Sequence, residues 1–188
     1  MNYSIYNIGK IRKYLDRSTT ELLVNAVITS KLDYCNSLLY GLPKYLINQL
    51  QRCHNNAARV ITLTRKFDHI TPVLHDLHWL PVEYRIQYKM LLLIYKSLFG
   101  QGPMYLRNLL EYPTRTRTLR SSDKQLLAEP PYRLDTFGAR SFQCAAPRLW
   151  NNLPQHLRKE QPGTTDLSKL SSFKKSLKTY LFTKAYYE

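Results

Sequence analysis

The segment 82–98, VEYRIQYKMLLLIYKSL, decides the fold class of this chain. Its apolar residues recur three and four positions apart, which is the spacing of one face of an α-helix. The stripe consists of Tyr84, Tyr88, Leu91, Tyr95 and Leu98. Gly100 follows, and glycine commonly ends a helix. We therefore predict a helix over about 82–99, whose tyrosines fit core packing better than base stacking because other apolar residues widen the same face.

Capping and turn signals predict further helices on both sides of this segment. The stretch 18–21, Ser-Thr-Thr-Glu, has the pattern of a capping box, so a buried helix is predicted from there towards Gly41. Pro43 suits the first turn of the next helix, whose polar side carries Arg52 and Arg59. Other helix starts are predicted at Thr71, Pro103 and Asp166.

The segment 113–162 lacks this helical periodicity. It holds six of the ten prolines, so we predict an irregular Pro-rich segment of turns and short helical turns, with short strands around 126–127 and 140–142. A C-terminal helix follows, with an apolar stripe of Leu170, Phe173, Leu177 and Leu181. The predicted fold class is therefore mainly α.

Basic residues outnumber acidic residues in both halves of the chain. There are 28 Lys and Arg against 13 Asp and Glu, a formal net charge of +15 at pH 7. This balance favours a polyanionic partner, although a basic surface that only aids solubility gives the same number. Two sets of side chains suit phosphate contacts: Arg115, Arg117 and Arg120 among hydroxyl residues, and Lys174, Lys175 and Lys178 on the polar side of the last helix.

Cations and aromatic rings also interleave within the Pro-rich segment. The residues concerned are Tyr132, Arg133, Phe137, Arg140, Phe142, Arg148 and Trp150. This composition is used to bind single-stranded or irregular RNA. A small local core with solvated arginines has the same composition, and the sequence favours neither interpretation.

No complete set of catalytic or cofactor-binding residues is present. The acidic residues are scattered without an Asp-Asp pair, and the six glycines do not cluster into a phosphate-binding loop. Cys53 and His54 are adjacent on a helix and therefore point about 100° apart, which disfavours a nucleophile–base pair. His69, His75, Asp76 and His78 satisfy no metal-ligand spacing, so packing and capping are favoured over zinc. We expect no catalytic residue, metal or cofactor.

The three cysteines, none in C-x-x-C spacing, predict a reducing intracellular compartment, nucleus or cytoplasm. No run of 18 apolar residues is present, so no membrane partner is expected. The acid-poor, amphipathic first turns, with Lys10, Arg12 and Lys13, fit an ordinary first helix better than an organelle presequence.

Six strings of residues together resemble one protein family. They are 8–15 (IGKIRKYL), 30–43 (SKLDYCNSLLYGLP), 77–82 (LHWLPV), 118–121 (TLRS), 138–142 (GARSF) and 145–154 (AAPRLWNNLP). In this order, over nearly the whole chain, they resemble the region downstream of the palm in reverse transcriptases of non-LTR (LINE-type) retrotransposons, of the Jockey and chicken-repeat group. Each string alone is weak, and the combination is specific.

The resemblance implies three segments: thumb-like helices over 1–64, a helical connector over 65–112 and a basic C-terminal extension over 113–188. The family's metal-binding aspartates belong to the upstream palm, and no position here matches them. The endonuclease and the Cys/His knuckle of some relatives are also missing from this chain.

We therefore expect a non-catalytic fragment of an RNA-directed DNA polymerase that binds RNA or an RNA–DNA duplex through its phosphates, without a small-molecule substrate. The expected contacts are Arg12, Lys13, Arg52, Arg59, Arg115, Arg117, Arg120, Arg140, Lys174, Lys175 and Lys178. The alternative is a protein-interaction or structural remnant that packs against the palm domain.

Overall fold

A computed structural model describes residues 1–113, 125–134, 136–160, 163 and 165–188. Within these ranges the regular structure is helical and no strand is present, which confirms the mainly α fold. The helices are α1 Asn2–Ile11, α2 Arg17–Val24, α3 Ser30–Asp33, α4 Lys44–Thr62, α5 Thr71–Asp76, α6 Val82–Leu98, α7 Met104–Arg107, α8 Phe142–Asn151, α9 Gln155–Arg158 and α10 Asp166–Tyr186. A π-helical turn at Asn25–Thr29 joins α2 to α3, and 3₁₀ turns occupy Arg12–Tyr14 and Asn36–Leu39.

The chain divides into two compact units. Unit 1 comprises Met1–Ile86 and Leu181–Glu188, and unit 2 comprises Gln87–Tyr180. The three segments predicted from the resemblance, 1–64, 65–112 and 113–188, have other boundaries than these units. The segments stay a prediction.

Apolar side chains from α1 to α5 form the core of unit 1. The buried set is Ile5, Ile8, Val24, Ile28, Leu32, Ala57, Ala58, Ile61, Leu74, Leu77 and Trp79. Burying one of the larger side chains contributes roughly 1.5–3 kcal/mol to the free energy of unfolding. The apolar contacts between these helices therefore stabilise unit 1. The end of the chain joins the same core, because Tyr186 packs against it and donates a hydrogen bond to the backbone carbonyl of Trp79.

The start of α2 differs from the predicted capping box. The N-cap residue is Asp16, whose carboxylate accepts a hydrogen bond from the backbone N–H of Thr19 at 3.2 Å. Hydrogen bonds from Thr19 hold the pKa of Asp16 below its usual value. Asp caps a helix as well as Ser does, and Asp16 lies two residues before Ser18, so the helix begins earlier than predicted.

The helical segment that starts at α2 also ends earlier than predicted. α3 stops at Asp33, because Tyr34 is extended and Cys35 takes the left-handed conformation with φ of 49°. The 3₁₀ turn Asn36–Leu39 then replaces the continuous helix expected up to Gly41. The guanidinium of Arg85 holds Asp33 at this point, with Nε to Oδ1 at 2.9 Å and Nη2 to Oδ2 at 2.6 Å.

Aromatic packing dominates the core of unit 2. Tyr95 of α6 is fully buried and stacks on Phe173 of α10, with 4.0 Å between ring centroids and 13° between planes. Trp150 of α8 is also buried, and its Nε1–H donates to the backbone carbonyl of Gln125 at 3.0 Å. The prediction that the tyrosine stripe of α6 serves packing is therefore confirmed at Tyr95.

The Pro-rich segment is more helical than predicted, and its short strands are not confirmed. Phe142 begins α8, which continues through Pro147, because burial of this helix offsets the backbone hydrogen bond that proline cannot donate. Leu127 has no strand partner among the described residues. Instead the side-chain amide of Asn151 bonds both its N–H and its carbonyl, each at 2.9 Å. A side chain thus supplies the hydrogen bonds that a neighbouring strand would have supplied.

Candidate nucleic-acid interface

The outer side of α10 carries three exposed lysines, Lys174, Lys175 and Lys178, which we call the lysine stripe. The opposite side of the helix is anchored in unit 2 by Phe173 and Leu177, both fully buried. No acidic residue occurs in 167–187, and the three ammonium groups form no ion pair with the described residues. Like charges three and four positions apart on a helix repel each other, so an anion bound here would relieve that repulsion.

Lys169 lies on the same helix and is not part of the stripe. Its ammonium group contacts Glu160 at 2.8 Å, and this hydrogen bond raises the pKa of Lys169. The first turn of α10 is therefore partly neutralised, whereas the stripe further along is not.

The Arg12 side chain forms hydrogen bonds with the C-terminal end of α4. Its guanidinium donates to three backbone carbonyls: those of Val60 and Ile61 at 3.0 Å each, and that of Leu15 at 2.5 Å. The last carbonyls of a helix have no partner within the helix and form the negative end of its dipole. The Arg12 side chain therefore stabilises α4, and a phosphate contact would compete with these bonds.

The Arg59 side chain likewise forms hydrogen bonds with the loop that follows α4. Its Nε donates to the carbonyl of Arg65 at 3.1 Å and its Nη2 to the carbonyl of Asp68 at 2.7 Å. Leu63, which lies between Arg59 and Arg65 in the sequence, adopts the left-handed conformation that ends α4. The positive charge of Arg59 remains, but part of its hydrogen-bonding capacity is used inside unit 1.

Lys13 and Arg52 are exposed. The ammonium group of Lys13 lies 4.7 Å from the ring centroid of Tyr14. Arg52 lies on the outer side of α4 and forms no hydrogen bond or ion pair with the described part of the chain. Both side chains are therefore available for a partner.

The remaining predicted contacts fall in the Pro-rich segment. Arg115, Arg117 and Arg120 lie outside the described residues. Arg140 is half-buried in the turn before α8. The structure thus brings Lys174, Lys175 and Lys178 together on one helix, while Lys13, Arg52 and Arg59 belong to unit 1.

The interleaved rings of the Pro-rich segment separate into a core and a surface. Trp150 is buried, and Arg148 lies over the ring of Tyr132 at 4.7 Å while its Nε is 3.6 Å from Glu129. Phe137, by contrast, is 78% exposed. Part of this set therefore belongs to a local core, as Trp150 does, and part of it, such as Phe137, faces solvent.

A groove of about 530 Å³ lies between α1 and the C-terminal part of α4 in unit 1. Its polar lining comes from Asn2, Tyr6, Arg12, Asn56, Arg59, Thr64 and Lys66, and none of the described residues that line it is acidic. The amphipathic pattern of the first turns did not predict this groove. The spacing of Tyr3, Tyr6 and Lys10 on one helical face is the signal that would have indicated it.

Three histidines, His54, His75 and His78, pack against aromatic rings. His54 is buried and stacks on Trp79 at 4.7 Å, while the thiol of Cys53 donates to the Asn2 side chain, so the two neighbours face different surroundings. Burial, with the nearby charge of Arg85, lowers the pKa of His54 from 6.5 to about 3.

His75 bonds the Tyr187 hydroxyl at 2.8 Å, and both His75 and His78 contact the ring of Phe182. No three His, Cys, Asp or Glu side chains in the described ranges come close enough together to hold a metal ion.

None of the helices in the described ranges combines the length and apolarity that a bilayer crossing requires. In comparisons with known proteins, the chain matches no protein-family model, no curated protein and no solved structure.

Proposed function

We propose that this chain is a non-catalytic nucleic-acid-binding fragment that holds RNA or an RNA–DNA duplex through backbone phosphates. The observation that carries the proposal is the lysine stripe, Lys174, Lys175 and Lys178, on a helix face without any acidic residue. Lysine ammonium groups bind phosphate oxygens without reading sequence, and each neutralised phosphate releases condensed counterions. The overall charge of +15 supports the same class of partner.

The proposed contacts are the predicted set with two omissions. Lys13, Arg52 and the lysine stripe have accessible cations, and Arg115, Arg117, Arg120 and Arg140 remain in the set from the sequence. We leave Arg12 and Arg59 out as direct phosphate donors, because each bonds backbone carbonyls within unit 1. Their charges still add to the positive potential of that unit.

The resemblance to non-LTR retrotransposon reverse transcriptases supports a specific origin for such a fragment. On this proposal the parent protein is an RNA-directed DNA polymerase with an endonuclease, and its catalytic aspartates lie in a palm domain outside this sequence. The scattered acids and dispersed glycines of this chain agree with a binding role. Primer extension by this chain alone is expected to give no product.

Salt-dependent binding tests the proposal. The triple variant Lys174→Gln, Lys175→Gln and Lys178→Gln is expected to bind an RNA–DNA duplex more weakly at low salt. It is also expected to lower the slope of log affinity against log salt by roughly 2–3 units, at about 0.9 per phosphate contact. Fluorescence anisotropy with a labelled duplex measures both quantities.

The matched control removes the same charge elsewhere. Lys31, Lys44 and Lys89 are also exposed, and their triple Gln variant is expected to change the slope much less. Absence of binding by the unmodified chain at low salt, or equal slopes for the two triple variants, would contradict the proposal.

A second candidate function is docking against a palm domain, and exposed apolar side chains favour it. In the thumb-like segment these are Leu22, Tyr34, Leu38, Tyr45 and Leu63. Apolar side chains that once met another domain promote self-association when that domain is absent. Light scattering on the isolated chain separates the candidates: a salt-insensitive oligomer that does not bind duplex favours docking, and a monomer that binds duplex favours the first function.

A further inference from the structure

The outer face of α1 presents tyrosine rings to solvent. Tyr3 and Tyr6 are 77% and 59% exposed, and Tyr14 in the following 3₁₀ turn is 77% exposed. Tyr3, Tyr6 and Lys10 share one helical face, because they are three and four positions apart. The inner face buries Ile5 and Ile8 in unit 1, so the rings do not serve the core.

Each of two rings has a lysine ammonium group over one of its faces. The ammonium group of Lys10 is 4.5 Å from the ring centroid of Tyr6, and that of Lys13 is 4.7 Å from that of Tyr14. No acidic residue occurs within 1–15. A ligand that lies on these rings therefore meets positive charge, and the nearest carboxylate in the sequence, that of Asp16, accepts the capping hydrogen bond from Thr19.

The groove beside this face extends the positive surface. Arg12, Arg59 and Lys66 line it, and Asn2, Asn56 and Thr64 add neutral hydrogen-bonding groups. Tyr6 belongs to both the face and the groove, so the two are continuous. We call them together the α1 platform.

Gly9 in the middle of α1 has no packing explanation. Glycine in a helix interior costs about 1 kcal/mol relative to alanine, and a Cβ added at Gly9 would meet no heavy atom within 4 Å. The helix would therefore accept an alanine there. Gly9 lines the groove, and a missing side chain lets a ligand approach the helix backbone closely.

We infer that the α1 platform binds single-stranded nucleic acid, with bases stacked on its tyrosines and phosphates held by its lysines, while Arg12 and Arg59 add only to the positive potential. A tyrosine ring can stack only on a base whose face is not already covered by a neighbouring base. The bases of a duplex are paired and stacked on each other, so a single strand fits this surface better than a duplex. Charge complementarity identifies the partner as a polyanion, and the rings identify one that carries planar bases.

Two other occupants fit the face less well. A membrane surface would need the apolar side of α1, and Ile5 and Ile8 of that side are already buried in unit 1. An acidic protein would use the lysines without needing three exposed rings or an open groove at Gly9.

This inference rests on the proposed function, because it names the form of nucleic acid that unit 1 takes. The experiment compares three labelled probes of equal length by fluorescence anisotropy with the full chain: a single-stranded RNA, an RNA–DNA duplex and an abasic single strand. The abasic strand keeps the phosphates and lacks the bases. Stacking of one base changes affinity by about tenfold, so the RNA strand is expected to bind at least about tenfold more tightly than the abasic strand.

Ring removal tests which residues carry that preference. The double variant Tyr6→Ala and Tyr14→Ala is expected to lower affinity for the RNA strand at least about tenfold and to leave the abasic strand and the salt slope unchanged. Tyr45→Ala with Tyr105→Ala is the matched control, because both rings are exposed on other helices. That control is expected to change neither affinity.

A side chain at Gly9 tests the groove without removing any ring. Gly9→Leu is expected to weaken binding of the RNA strand, whereas Gly9→Ala keeps most of the binding. Both are expected to raise thermal stability, because each is a better helix former than glycine and the Cβ that both share meets no heavy atom within 4 Å. A weaker binder that is also more stable cannot be explained by misfolding.

The outcomes separate this inference from the proposed function. If no probe binds at low salt, both fail. If the duplex and the abasic strand bind as tightly as the RNA strand, the proposed function stands and the α1 platform is overturned. Loss of binding to phosphatidylserine vesicles, rather than to RNA, in the Tyr6 and Tyr14 variant would also overturn it.

Discussion

Residues of one chemical type serve different purposes in this protein. Arg12 fastens the end of α4 through backbone carbonyls, Arg85 holds Asp33 by two hydrogen bonds, and Arg52 is exposed without a partner in the described part of the chain. All three are equally good phosphate ligands when only the sequence is considered. What each guanidinium meets after folding depends on contacts as many as 52 positions apart in the chain, which no local pattern encodes.

His54 makes the stability of unit 1 dependent on pH. Its pKa is lowered from 6.5 to about 3 when folded, so between these values the unfolded chain binds a proton that the folded chain does not. Stability is therefore complete above pH 6.5 and falls as the pH drops towards 3. At pH 5 the expected loss is about 2 kcal/mol relative to pH 7.

Substitution of His54 provides the measurement. His54→Phe keeps a ring against Trp79 and should remove this part of the pH dependence in urea unfolding followed at pH 7 and pH 5. His69→Gln is the control, because His69 is exposed and its loss should leave the dependence intact. His54→Leu serves if phenylalanine overfills the site, and an unchanged pH dependence in both variants would refute the expectation.

At the scale of elements, helical periodicity predicted α4, α6 and α10 well. Pro43, Pro103 and Asp166 lie at or beside the starts of helices, as predicted, and Gly100 follows the end of α6 with a positive φ of 74°. The boundaries of α2 and α3 were predicted less well. Asp16 and Ser18 are both good caps, and Cys35 carries no signal for a left-handed residue, so the local sequence did not exclude the wrong limits.

The cap of α2 can be tested directly. Asp16→Ala should lower the melting temperature by a few degrees, roughly 2–4 °C, because the N–H of Thr19 loses its acceptor. Asp16→Asn should keep most of the stability, since its side-chain oxygen still accepts. Ser18→Ala is expected to change little, and a larger effect from Ser18→Ala than from Asp16→Ala would support the capping box instead.

At the scale of the whole molecule, residues distant in sequence complete one unit. Leu181–Glu188 belongs to unit 1, where Leu181 is buried, Tyr186 bonds the carbonyl of Trp79 and Tyr187 bonds His75. Residues 1–64 alone therefore lack part of the core that they use. A protein truncated after residue 64 or after Tyr180 would leave that core open.

Deletion of Leu181–Glu188 is expected to destabilise unit 1 by roughly 3 kcal/mol or more, from lost burial and hydrogen bonds. The chain has two tryptophans, one in each unit, so the variant Trp150→Phe leaves Trp79 as the reporter of unit 1. Its fluorescence in urea should show a lower midpoint after the deletion. Removal of Glu188 alone is the control, and an equal midpoint for both would contradict this role of the C-terminus.

The sequence was sufficient for the charge, the helical class and the apolar stripes, because these follow from composition and from spacing within one helix. The sequence was not sufficient to determine which helical faces are buried and which are exposed. Tyr95 and Tyr6 both lie on helices, yet Tyr95 is buried against Phe173 and Tyr6 faces solvent beside a groove. Periodicity records which residues share a face, and only packing against other helices determines which faces are covered and which remain for a partner.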